Sequence, residues 1–137
     1  MRRAVVSIAE PDQEKLSKPE LQSLADGLVL EEPLALERCV TFVIAETEGN
    51  WHGRARAMMC RRLKHAALSE AQSARLVACI CERLEKGVFA EQFKDQLRLA
   101  MHLSAPRLFS VSRSCVASPL AHVSRYALWV LSHEQRE

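Results

Sequence analysis

The sequence predicts an all-α fold, on three observations. Apolar residues recur at spacings of three and four through most of the chain. Ser, Pro and Gly, which favour helix ends, stand at the joints between those stripes. Interruptions are few, with four Gly and five Pro among 137 residues, a length that suits one compact core. The expected architecture is about seven antiparallel helices, arranged as stacked helical hairpins or as an orthogonal helical bundle. They form a single domain over residues 18–137, preceded by an N-terminal arm over residues 1–17.

In the arm, Val5, Val6 and Ile8 stand beside Pro11 and Asp12 without helical spacing, which reads as a poorly ordered or docked extended segment. A first helix over residues 20–29 puts Leu21, Leu24, Ala25 and Leu28 on one side, and Gly27 weakens its end. The second begins near Glu32 with Pro33 in its first turn, where a missing N–H costs nothing. Its stripe is Leu36, Val40, Val43, Ile44 and Thr47, up to Gly49 and Asn50. Trp51 opens a third helix that runs to about Ala67 and turns Trp51, Ala55, Met58, Met59, Leu63 and Ala66 to the core, with Arg56 and Arg62 at the edges of that stripe.

Ser69-Glu70-Ala71-Gln72 matches the capping box, in which the Ser and Gln side chains each satisfy a backbone amide at the start of a helix. The fourth helix therefore begins there, buries Leu76, Val77, Ile80, Cys81 and Leu84, and stops at Gly87. Helix five, from about Ala90 to Leu103, buries Phe93, Leu97 and Ala100 and leaves Glu91, Lys94, Asp95, Arg98 and His102 on its solvated side. Ser104-Ala105-Pro106 reads as a cap and first turn opening a short sixth helix to about Val116. Ser118-Pro119 repeats that opening for a seventh over residues 119–134, which buries Leu120, Val123, Ala127, Val130 and Leu131. Links of two to five residues put consecutive helices side by side.

These helices group into three pairs, over residues 32–67, 69–103 and 105–134. Their closing leucines, Leu63, Leu103 and Leu131, stand 40 and then 28 residues apart, an irregular period. The segment Pro119-Leu120-Ala121-His122-Val123-Ser124-Arg125-Tyr126-Ala127-Leu128-Trp129-Val130-Leu131 resembles the second helix of a HEAT-type repeat, with its Pro followed by Val, a basic residue, Ala and Leu. That resemblance implies an α-solenoid fragment, a class that works mostly by binding proteins and occasionally nucleic acids. A plain helical bundle is the other arrangement that the same stripes allow.

Composition narrows the function classes. The longest run without charge, residues 114–124, is too short and too polar for a bilayer, so no membrane is expected. The apolar stretch after Arg2 and Arg3 is shorter than a secretory signal needs, and five Cys, an odd number, suit free thiols in a reducing cytoplasm. Cys79 and Cys81 lie on opposite sides of a helix, and no two of His52, His65, His102, His122 and His133 stand three or four apart. The four Gly form no phosphate loop. No metal, cofactor, small-molecule ligand or catalytic residue is therefore expected, and the chain reads as a binding protein rather than an enzyme.

Two surfaces compete for that binding. The last helix carries His122, Arg125, Tyr126, Trp129 and His133 away from its core stripe, and Trp and Arg are enriched where protein partners dock. This predicts a protein partner or self-association into a dimer, unless Trp129 instead packs near Leu108 and Val111. The third helix offers Arg54, Arg61, Arg62, Lys64 and His65, which would suit a nucleic-acid-binding regulator. Residues 21–50 carry six acids against Arg38 alone, and residues 51–75 carry six bases against Glu70 alone, so the question is whether neighbouring acids neutralise that helix.

Overall fold

A computed structural model of the chain describes residues 16–29, 32–45, 52–89 and 92–134. Outside the described residues lie residues 1–15, 30, 31, 46–51, 90, 91 and 135–137, among them the expected arm, Thr47, Trp51 and Glu91, and the side chains of Leu28 and Val29. Among the described residues there are six helices: α1 (Lys18–Val29), α2 (Pro33–Ile44), α3 (His52–Leu63), α4 (Glu70–Lys86), α5 (Phe93–Cys115) and α6 (Ala121–Glu134).

Local chemistry sets most of the ends. Ser17 and Glu20 form a capping box not expected from the sequence: the Ser17 amide donates to Glu20 Oε1 at 2.9 Å, and the Glu20 amide to Ser17 Oγ at 3.4 Å. The chain is already anchored at Leu16, which is buried and whose carbonyl accepts from Nε2 of the buried His52 at 3.0 Å. The Ser69 cap forms as expected, with the Gln72 amide donating to Ser69 Oγ at 3.1 Å and the Ser69 amide to Gln72 Oε1 at 2.9 Å. Gly87 ends α4 in the left-handed region at φ 71°. α3 stops at Leu63, short of Ala67, because the amides of His65 and Ala66 bond three residues back and tighten the last turn.

The boundary expected at Ser104 is present as a kink, at which two helical stretches of α5 join without a connecting loop. Ser104 leaves helical geometry (φ −159°, ψ 75°), two residues before Pro106. Proline lacks the N–H for an internal helical bond, and its ring clashes with the carbonyl four residues back.

α5 is the central helix, packed on α3, α4 and α6, while α1 packs on α2 and α3, and α2 on α3 and α4. Of the consecutive helices only α3 and α4 do not pack extensively, so the short link Lys64 to Ser69 carries the chain from one packed group to the next. Phe42, Met59, Leu63, Leu76, Ile80, Leu84, Phe93, Leu97 and Leu108 fill the core. The expected stripes are buried with few exceptions. Ile44, Met58, Ala66 and Leu131 are only half-buried. Leu120, expected in the core, is 43% exposed, because α6 begins after it and the Leu120 amide bonds to Ser118 Oγ instead. Arg56, placed at the edge of the core by its spacing, is buried: its guanidinium lies 5.3 Å from the Phe42 ring centre and donates to the Ala45 carbonyl at 3.3 Å.

Candidate functional site

Val123, Ala127 and Val130 bury one side of α6 completely, which fixes the direction of every other residue on that helix. Arg125 and Leu128 point outward, Leu128 with 53% of its surface exposed. Tyr126 turns inward onto an aromatic cluster in which Phe89 and Phe93 stack at 4.1 Å and Tyr126 meets them edge-on at 5.1 Å and 6.0 Å. His122 joins the same cluster, 5.2 Å from Phe89, and its Nε2 donates to the Gly87 carbonyl at 2.9 Å. Of the five residues expected to contact a partner, His122 and Tyr126 therefore have internal bonding partners that hold α6 against the end of α4.

Trp129 faces α5, half-buried. Lys94 Nζ lies 5.1 Å and the Arg98 guanidinium 5.2 Å from its ring centre, within the range of a cation–π contact. The His133 ring meets it edge-on at 4.5 Å and bonds back through Nδ1 to the Trp129 carbonyl at 2.9 Å. The ring thus carries two cations and an imidazole. Arg125, on the same side of the helix, reaches over Tyr126 at 5.9 Å.

On α3 and the turn that follows it, Arg54 and His65 are exposed and Arg62 and Lys64 half-buried. Arg61 Nη1 bonds Asp95 Oδ2 at 2.8 Å, and Arg62 Nη1 comes within 3.6 Å of Asp26 Oδ1. The neutralising acids thus come from α5 and α1. Glu37, the acid on the described part of α2, pairs across to Arg75 of α4 at 3.0 Å.

Asp95 also joins the two surfaces that the sequence presents separately. Its second oxygen takes Arg98 Nη1 at 3.4 Å, so Arg61 of α3, Asp95 and Arg98 of α5 and Trp129 of α6 form one chain of contacts. The chain matches no known family, no curated protein and no solved structure. The physical arrangement of this face is therefore the basis for a functional reading.

By sequence, Lys94, Asp95 and Arg98 belong to an ordinary solvated side. The signal present was the four-residue spacing of Lys94 and Arg98, which aligns them on one helix face, but nothing local indicates that a Trp 31 residues after Arg98 lies beneath. Among the described residues no three His, Cys, Asp or Glu side chains come together to hold a metal ion, and no helix is long and apolar enough to cross a membrane.

Proposed function

We propose that this protein is a non-enzymatic binding module that engages a protein partner, or a second copy of itself, through the face where α5 meets α6. The observation that carries this reading is Trp129, a large aromatic held half-buried by Lys94, Arg98 and His133, beside the exposed Arg125 and Leu128. Interfaces concentrate their energy in Trp and Arg residues held rigidly at the edge of a packed surface. The packing of α2 on α4 and of α3 on α5 supports stacked, HEAT-like hairpins for the pairs α2/α3 and α4/α5. Five free thiols, four of them buried, suit a cytoplasmic protein.

The nucleic-acid reading through Arg54, Arg61, Arg62, Lys64 and His65 has less support, since Arg61 and Arg62 already sit against Asp95 and Asp26. Sedimentation velocity for self-association and capture of partners from cell extract, each with Trp129→Ala and Arg125→Glu, tests the proposal. Both variants should abolish association while keeping the helical circular dichroism of the parent chain. Association unchanged in both would refute it.

A further inference from the structure

We infer that the partner's binding segment is acidic, with an apolar residue beside its carboxylates, and that Lys94, Arg98 and Arg61 receive those carboxylates. The inference rests on the α5–α6 face proposed above and specifies what docks there. Lys94 and Arg98 are both exposed on the same side of α5. Asp95 lies between them in sequence, but its side chain is only 15% exposed, covered by Arg61 and Arg98, which are 58% and 48% exposed. Among the described residues, what the face presents to solvent is therefore the cations, with the acid beneath.

That geometry prepares the cations for a ligand. Asp95 engages one terminal nitrogen of each guanidinium, Arg61 at 2.8 Å and Arg98 at 3.4 Å, and a guanidinium carries further N–H donors in a planar fork that matches a carboxylate. The Trp129 ring holds Lys94 and Arg98 near 5 Å, so part of the side-chain ordering that binding requires is already done. Arg125 extends the positive surface onto α6, and the exposed Leu128 three residues on supplies an apolar contact. An acidic polypeptide segment with a leucine-like residue matches both features. A single nucleic-acid strand matches less well, because its bases need an open aromatic face and the Trp129 ring already carries two cations and His133.

Fluorescence anisotropy tests this with a labelled twelve-residue peptide in which pairs of Glu alternate with Leu, the same peptide with Gln for Glu, and a single-stranded DNA of equal charge. The Glu peptide should bind the full chain at low salt and the Gln peptide should not. Lys94→Gln combined with Arg98→Gln should weaken binding about tenfold or more, and binding should fall as salt screens the charges. Arg75→Gln, which removes the cation paired with Glu37 between α2 and α4, should leave it unchanged. Lys94→Gln alone, which breaks no ion pair among the described residues, should weaken it less but measurably, and guards against a folding defect in the double variant.

Equal binding of the Glu and Gln peptides, or no binding of either, overturns the inference. So does tighter binding of the DNA that is lost in the same variants, which would assign the face to nucleic acid. Failure of the underlying reading is separate: if Trp129→Ala abolishes self-association or partner capture while the Lys94 and Arg98 variants do not, the face stands and the acidic partner falls. If Trp129→Ala changes neither, the face itself is wrong.

Discussion

Arg83 of α4 donates through Nη2 to the carbonyl of Ile44, the last residue of α2, at 2.6 Å. The same nitrogen lies 3.4 Å from the Ala45 carbonyl, and Nη1 donates to Gln96 of α5 at 2.7 Å. Arg56 of α3 adds its own bond to Ala45. The last carbonyls of a helix have no partners within it and carry partial negative charge, so two guanidinium groups are a favourable way to satisfy them. Burial and the neighbouring Arg83 charge together lower the Arg56 pKa from its ordinary value.

Replacing Arg83 by Leu removes the guanidinium donor from the Ile44 carbonyl and from Gln96, while Arg56 stays on Ala45. The expected cost is about 2–4 kcal/mol, the range for losing hydrogen bonds to a charged group and stranding its partners. Arg83→Lys should recover only part of it, because one ammonium cannot span the positions that the guanidinium fork reaches. Urea denaturation of the three proteins measures both effects, and a cost for Arg83→Leu below about 0.5 kcal/mol, the range of an ordinary surface substitution, would show that the junction does not depend on Arg83.

Gly87 should tolerate no side chain. Its φ of 71° disfavours any L residue, and an added Cβ would come within 2.9 Å of His122, Leu120 and Val123. The left-handed conformation alone costs roughly 1–2 kcal/mol, and the His122, Leu120 and Val123 side chains must also shift to relieve the contacts. Gly87→Ala should therefore lower the thermal midpoint and weaken the packing around Tyr126, which its fluorescence and near-ultraviolet circular dichroism report. An unchanged midpoint would contradict this account of the α4–α6 joint.

Glu37 ties α2 to α4 through Gln72 and Arg75, and those two hydrogen bonds hold its carboxyl below the usual glutamate range. A lowered folded-state pKa contributes stability that is present above the unfolded value, ~4.3, and is lost as pH falls through the folded value. The Glu37→Gln variant should be slightly less stable than the parent at pH 7, and the gap should close as pH falls through the folded value. The pair is nearly half exposed, so the effect is small; a gap that widens in acid would refute the assignment.

Burial pushes the Cys39 thiol up to about 11 and the Cys60 thiol to about 12, with Asp95 adding to the second. Cys81 and Cys115 are raised too, again chiefly by burial. Alkylation requires the thiolate, so iodoacetamide at about pH 8.5 should modify the half-buried Cys79 first and reach Cys39 and Cys60 only as the chain unfolds. Peptide mass mapping over time checks the order, and early labelling of Cys60 would contradict its burial. Since the unfolded thiols ionise near pH ~8.5, the stability that they contribute is full below that value and declines as pH rises towards the folded values.

The sequence by itself determined the helices, their apolar faces and several of their ends. Periodicity marks which side of a helix is buried, and the Ser69 box and Gly87 stop act within a few residues of where they stand. Even the Ser104 break was readable, since Pro106 acts on its own helix. Tertiary structure alone decided which residues meet across helices: that Arg83 reaches Ile44, that Arg56 is buried on Phe42, and that Asp95 joins Arg61 to Arg98 above Trp129. A long side chain finds partners 34 or 39 residues away according to how the helices pack, and no local spacing encodes that packing.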